Sequence, residues 1–433
     1  MRLTSALLTA GLTLTSAADA APLTLEEAFA RVEATHPELK VFAIYRSTTL
    51  ARSAAASQSP ERVVGTTIEN VLGNHGYGGL DAAEVTFTIG SVLERGDKLE
   101  ARRALAHAQI DSITVDREIK RLDLLAETAR RYLQVVEAGS ICRIHKTAVE
   151  QRKRAESSAE RRLAAGAGKE SDLWISKAAT AKAQIAQLQC ELTGLRSSRQ
   201  LGALWGEPTP GNIDVPLLPV RLPELNQPDQ WTAETMAAPA LARFANETHI
   251  REARVRLASA DRTPNLQWQI GLRRLEATDG FGLVGSVSLP LGSRARAQPG
   301  IDASRSALAA LEIERVVTEL TFETTLAMAT DIYRSAARSQ RQWEEKVLPL
   351  LDQAARAAAS AYEAGASSAL EWHTIQTELI DGQLAALEEG LRGQRALIEI
   401  ERLLGRSATG PILSGDSSGS SPSNSASPVG DQQ

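Results

Sequence analysis

The chain has 433 residues, 43% hydrophobic but only 4% aromatic, and its 48 basic and 53 acidic side chains give a formal net charge of −5. That near balance leaves no basic footprint for nucleic acid, and scarce aromatics with abundant alanine suit close-packed helices better than a wide globular core. No Gly-rich phosphate loop, catalytic triad or paired acid/base carboxylates can be identified, so nothing asks for an enzyme or a cofactor.

Residues 1–20 read as a signal peptide. Arg2 supplies the positive region, Ala6–Leu14 the apolar run, and Ala18-Asp19-Ala20 small residues for cleavage after Ala20. The mature chain has no apolar run of about 18 residues, hence no membrane-spanning helix is expected. An exported chain of this kind is periplasmic, secreted or an outer-membrane barrel.

Thr24–Gln58 reads as helix, with a Thr24/Glu27 capping box and a kink or break at Pro37. Glu61–Leu72 and Glu84–Ile89 alternate as two strands around the loop Gly73–Gly79. From about Asp97 to Leu163 runs a helix roughly 100 Å long at about 1.5 Å per residue. Its seam of Val115, Ile119, Leu122, Ala126, Ala129, Leu133 and Val136 has heptad spacing. After a turn at Gly166, Trp174, Ala178, Ala181, Ile185, Leu188, Leu192 and Leu195 repeat that spacing, which makes the two helices expected antiparallel partners along these seams. The return helix closes at Leu204-Trp205-Gly206.

The order then starts again. Ala233–Ala260 reads as helix, Leu266–Arg273 as a strand, Thr278–Gly282 as a turn and Leu283–Leu289 as a second strand. A long helix follows from about Pro299 to Tyr362, and a return helix carries Ile380, Leu384, Leu387 and Leu391. Pro37 and Pro239 are 202 apart, Pro60 and Pro264 204 apart, and the pairs Gly166/Gly365 and Gly206/Gly405 each 199 apart. The expected organisation is a signal peptide at 1–20, a first repeat at 21–206, a proline-rich linker at 207–230, a second repeat at 231–405 and a disordered Ser/Gly/Pro tail at 406–433.

The strands carry apolar residues at alternate positions with Thr, Ser, Gln and Gly between, which suits either a soluble sheet with one buried face or a transmembrane barrel. With no apolar helix face left over to cover such a sheet, the barrel is the expectation. Four strands cannot close one, and unpaired edges are forbidden in lipid, so several chains must pool their strands. Cys142 and Cys190, the only cysteines, lie 24 residues either side of Gly166. A disulfide, two free thiols, or a metal site with His145 are all conceivable, and an oxidising compartment favours the disulfide.

The whole order resembles the TolC-type outer-membrane efflux proteins. The residues that carry the likeness are LTLEEAFARVEATHPEL at Leu23–Leu39, EVTFTIGSVLERGDKLEARRALA at Glu84–Ala106, the two glycine turns, and the ends ALWG and RLLG. The resemblance implies a mixed α/β membrane protein and a homotrimer. Three chains would give a twelve-stranded outer-membrane barrel, and their long antiparallel helices a periplasmic α-barrel. It also implies partners, a periplasmic adaptor and an inner-membrane pump. LERGDKLEARRALA is similar to the cobalt-zinc-cadmium (CzcC-like) branch, in which a second glycine usually stands at the position of Asp97; that implies metal cations as cargo. The rival reading is a periplasmic coiled-coil adaptor or scaffold, which would be expected to carry one helical hairpin rather than two with duplicated strand pairs.

In the family an aspartate at the place of Glu371 forms a carboxylate ring at the periplasmic constriction, and a second aspartate matches Thr374. Three symmetry-related carboxylates would favour cations; the plainer reading of Glu371 is a first-turn carboxylate stabilised by the helix dipole. Asp172 holds the corresponding place in the first repeat. His36, His75, His107, His249 and His373 show no ligand spacing, and His373 reads as a surface residue near the tip.

Overall fold

The computed structural model describes residues 23–207, 222 and 238–407. The expected signal peptide, nearly all of the expected linker and the tail beyond residue 407 lie outside the described residues. The chain begins with α1 (Leu25–Thr35) and α2 (Pro37–Ala56). Thr24 caps α1 in the expected reciprocal box with Glu27. Pro37 breaks rather than kinks the segment, because it occupies the first turn of a new helix, where its missing N–H costs nothing. Pro239 does the same for α5 (Pro239–Ala260).

Between them come β1 (Arg62–Glu69), β2 (Glu84–Leu93), α3 (Lys98–Ala164) and α4 (Glu170–Gly202). After α5 follow β3 (Leu266–Leu275), β4 (Gly280–Ser288), α6 (Ser293–Gln342), a π turn at Trp343–Val347, α7 (Leu348–Glu363) and α8 (Ala369–Leu403). Several boundaries differ from the expected ones: β1 ends at Glu69 rather than Leu72, β2 continues to Leu93 and β3 to Leu275. The β3–β4 turn sits at Glu276–Asp279, where Asp279 takes the left-handed conformation, so β4 starts earlier. α6 also starts earlier, at Ser293, with Pro299 inside it. The second long helix is interrupted by the π turn just before Pro349, whose ring could not sit in a regular helix without meeting a carbonyl of the preceding turn.

At the start of α3, Asp97 is itself left-handed, with φ 59°. A glycine relieves such a position, and aspartate is among the few other residues that tolerate it. Lys98 then bonds Asn265 and faces Asp261, while Arg102 holds Glu94 bidentately. Those pairs tie the strands to the helices.

The four strands form one antiparallel sheet in the order β1-β2-β3-β4. Its register sorts the side chains. Across one face run Val64, Ile89 and Ile270, then Thr66, Phe87, Leu272 and Leu283, then Ile68, Val85, Arg274 and Phe281. The opposite face carries Gly65, Thr88, Gly271 and Val284, then Thr67, Thr86, Arg273 and Gly282. No described helix covers the apolar face: Leu283 is 90% exposed, Val64 74% and Val287 70%. A soluble sheet would not leave these in water, where burial of each would be worth about 2 kcal/mol. On the polar face Arg273 bonds Thr86, Glu84 and Glu69 at the far end of the sheet. β1 and β4 are edges with no described partner strand.

The main core joins α1, the middle of α3 and the end of α8, with Leu124, Tyr132, Leu133, Val136, Leu201, Tyr333, Leu391, Leu397 and Ile400 among its members. Two expectations about seams are corrected here. Ala126, Ala129, Leu133 and Val136 of the α3 seam pack into this core rather than along α4 alone. The α4 stripe does not face α3 at all: Trp174, Ile185, Leu188, Leu192 and Leu195 are all exposed. The residues that α4 does bury are mostly small, including Ser176, Thr180, Ser197 and Gly202. Such side chains let the backbones approach closely and leave the larger apolar ones pointing away.

Candidate functional site at the hairpin tips

Both hairpins end in the same turn. Gly166 and Gly365 are left-handed, with φ 70° and 81°. In each, the glycine N–H and the N–H after it bond back into the helix, Gly166 to Leu163 and Ala167 to Arg162, Gly365 to Tyr362 and Ala366 to Ala361. This is the glycine-terminated helix end that closes otherwise orphaned carbonyls. Arg162 joins the two tips: its guanidinium donates to the carbonyls of Tyr362, Glu363 and Ala167 and lies 5.1 Å from the centre of the Tyr362 ring. Tyr362, Trp372, Ala155, Ala159 and Ala369 form a small core beneath. Burial pushes the Tyr362 phenol above its ordinary range.

His373 is not a surface residue. It is 5% exposed and is held by both hairpins. Arg152 of α3 donates to its Nδ1 at 2.6 Å and to its carbonyl at 3.1 Å, and Ser176 of α4 meets its Nε2 at 2.9 Å. Arg152 also donates to Thr377 at 2.7 Å. Since arginine can only donate, Nδ1 must accept, so the imidazole is neutral with its proton on Nε2 towards Ser176. Burial first, and then the nearby Arg152 charge, push the His373 pKa down to about 4. Sequence spacing missed both residues; a histidine two positions after Glu371, on the α8 face opposite the exposed one, was the available signal.

Glu371 and Thr374 lie on the exposed face of the α8 first turns. The Glu371 N–H is capped by Ser368, and the Thr374 hydroxyl donates to the Leu370 carbonyl. Asp172 is half-buried in the first turn of α4, its N–H bonded to the Lys169 carbonyl. The three are not joined to one another by any hydrogen bond among the described residues. Cys142 and Cys190 are bonded to each other, with Cα atoms 5.4 Å apart, which leaves neither sulfur for a metal. His145, one turn on, lines a cleft of about 500 Å³ with Arg152, Lys182, His373, Thr374 and Thr377.

Residues 20–207, the first hairpin and its strands, match the family model described as outer membrane efflux protein. This chain carries an outer membrane efflux protein domain. The cobalt-zinc-cadmium resistance protein CzcC of Cupriavidus metallidurans is 27% identical to it over 337 residues, 72% of this chain and 75% of that one. A membrane protein from Pseudomonas aeruginosa superposes with a TM-score of 0.74 at 15% identity, covering 88% of this chain and 90% of that one. CusC, solved in a study of folding and transmembrane channel formation, superposes with a TM-score of 0.74 at 14% identity, covering 88% and 92%. The efflux-protein fold therefore extends past the matched domain into the second set of strands and helices.

Proposed function

We propose that this chain is one protomer of a homotrimeric outer-membrane exit duct in a tripartite efflux pump. The observation that carries the reading is the sheet. Its register gathers apolar side chains on one uncovered face and polar ones on the other, and both its edges are open. Lipid accepts such a face, but not such edges, so neighbouring copies supply the missing strands and three make twelve. No described helix is long and apolar enough to cross a membrane, so the sheet is the element assigned to the bilayer. The helices extend into the periplasm, where a periplasmic adaptor and an inner-membrane pump engage them. The exposed α4 stripe is assigned to the helix-to-helix contact between copies.

The duct is passive and performs no reaction; energy comes from the inner-membrane partner. Heavy-metal cations are the cargo class we assign, supported by the likeness to CzcC. Glu371, repeated three times round the periplasmic constriction, is the proposed selectivity element, with Thr374 in place of a second carboxylate. The test is membrane fractionation. The protein should sediment with outer membranes and run as a heat-modifiable trimer. A soluble monomer in the periplasm would overturn the reading. Growth of a deletion strain on zinc, cobalt, cadmium and common drugs then reads the cargo.

A further inference from the structure

We propose that the cleft between α3, α4 and α8, just inside the hairpin tips, is a binding site for an oxyanion, a carboxylate or a phosphate, held by Arg152 and Lys182. The starting observation is a charge that nothing balances. Arg152 is 6% exposed, yet no described carboxylate pairs with it or opposes its burial. Its acceptors are a neutral imidazole, a backbone carbonyl and a hydroxyl. An uncompensated buried cation is unfavourable, and proteins ordinarily pair it.

The guanidinium also has unused capacity. Of its five N–H groups, two on Nη1 go to His373 and one on Nη2 goes to Thr377. The second Nη2–H and the Nε–H have no acceptor among the described residues. Those two donors are the fork that takes a carboxylate or phosphate side-on with two parallel bonds.

The cleft beside it has the matching character. Its lining includes Arg152, Lys182, His145 and His373, the side chains of Thr374 and Thr377, whose hydroxyl protons already go to the Leu370 and His373 carbonyls, and otherwise alkyl groups; no Asp or Glu lines it, so Arg152 and Lys182 are the donors left for an anion. Lys182, on the exposed side of α4, makes no ion pair with a described residue and is free to close on a ligand from above. The carboxylate that does act on this cluster, Asp172, is felt by His373 and Tyr362 and not by Arg152. Burial alone pulls the Arg152 guanidinium below its ordinary value, with no anion opposing it. The volume of about 500 Å³ holds an anion of a few heavy atoms with its water, or the end of an acidic side chain entering from a neighbour.

Bound there, an oxyanion would bridge Arg152 on α3 to Lys182 on α4, beside Thr374 and Thr377 on α8. It would therefore brace α3 against α4 at the level of the tips, where Arg152 already holds α8, and its loss would loosen the first hairpin.

The site is tested on the purified full-length protein by titrating sodium phosphate or sodium acetate at constant ionic strength set with chloride, reading heat and thermal midpoint. The expected result is saturable binding of one of the two that chloride does not reproduce, with affinity reduced at least tenfold in Lys182→Gln and in Arg152→Gln. Tighter phosphate binding identifies a tetrahedral anion, and tighter acetate binding identifies a carboxylate such as an acidic side chain. No saturable binding of either, or binding unchanged in the Lys182→Gln protein, overturns the proposal. Lys182 is exposed, so that variant decides the matter even where Arg152→Gln fails to fold. None of these readouts depends on transport.

Discussion

His373 is neutral because Arg152 and its own burial require it to be. Arg152 needs an acceptor at Nδ1, and burial opposes a charge. Its pKa of about 4 in the folded protein lies below the ordinary value of 6.5, so the folded state binds fewer protons than the unfolded one between those values. The stabilisation is therefore complete above about pH 6.5 and is lost as pH falls towards 4, on the order of 3 kcal/mol in all. Hydrogen exchange, corrected for intrinsic rate, should show protection of residues 369–377 falling over that range, and His373→Gln should flatten the dependence. Glu371 carries the proposed selectivity, and single-channel recording of Glu371→Gln should show reduced preference for cations. Unchanged conductance and selectivity would sink the ring. At this scale the sequence was half legible. Glu371 could be placed from its distance to Gly365, because that relation is local. Arg152 and His373 are 221 positions apart and meet only after the two hairpins have packed, and no spacing within one helix announces such a contact.

At the scale of the elements, the two hairpins are built alike and held differently. In the first, the Cys142–Cys190 bond joins α3 to α4 midway between tip and base. It closes a loop with a sequence separation of 48, for which chain-entropy arguments give about 4 kcal/mol, often realised as about 2–4. Cys142→Ser/Cys190→Ser should lower the thermal midpoint measurably, and mass spectrometry of an unreduced digest should show the linked peptides in the parent protein. The second hairpin has no such staple. It carries a π turn at Trp343–Val347 instead, and just beyond it Gly382 of α8 packs so closely on α7 that an added Cβ would lie 2.9 Å from Leu351. Periodicity revealed the long helices, their glycine ends and the height match of the two cysteines. It did not reveal which way each seam pointed. The α4 heptads look the same whether they face α3 or a different chain, and the serines and threonine that α4 does bury, Ser176, Thr180, Ser197 and Ser198, carry no hydrophobic period. The π turn was hidden for a related reason: one extra residue in a helix leaves composition unchanged.

For the whole molecule, the assignment of the α4 stripe to contact between copies is the one most directly exposed to failure. Replacing Leu188 and Leu192, each more than half exposed, by lysine should leave the helical content of the protomer intact and abolish the trimer. Sedimentation velocity in detergent reads the second, circular dichroism the first. A trimer that survives would place the contact elsewhere. The overall order of strands and hairpins was readable before any coordinates because the chain states it twice, and duplicated punctuation by proline and glycine is a long-range signal. The sheet's membership was not, since nothing in β2 or β3 says that they pair with each other across the repeats. That pairing leaves β1 and β4 open, and the open edges bear on how fast the proposed barrel would reach a membrane. A lone chain with two unsatisfied strand edges has no stable place in lipid, so it must wait in water or at the bilayer surface until others arrive. Insertion should then depend on chain concentration more steeply than first order, slowing disproportionately on dilution, whereas a barrel closed by one polypeptide would insert at a rate simply proportional to the amount present.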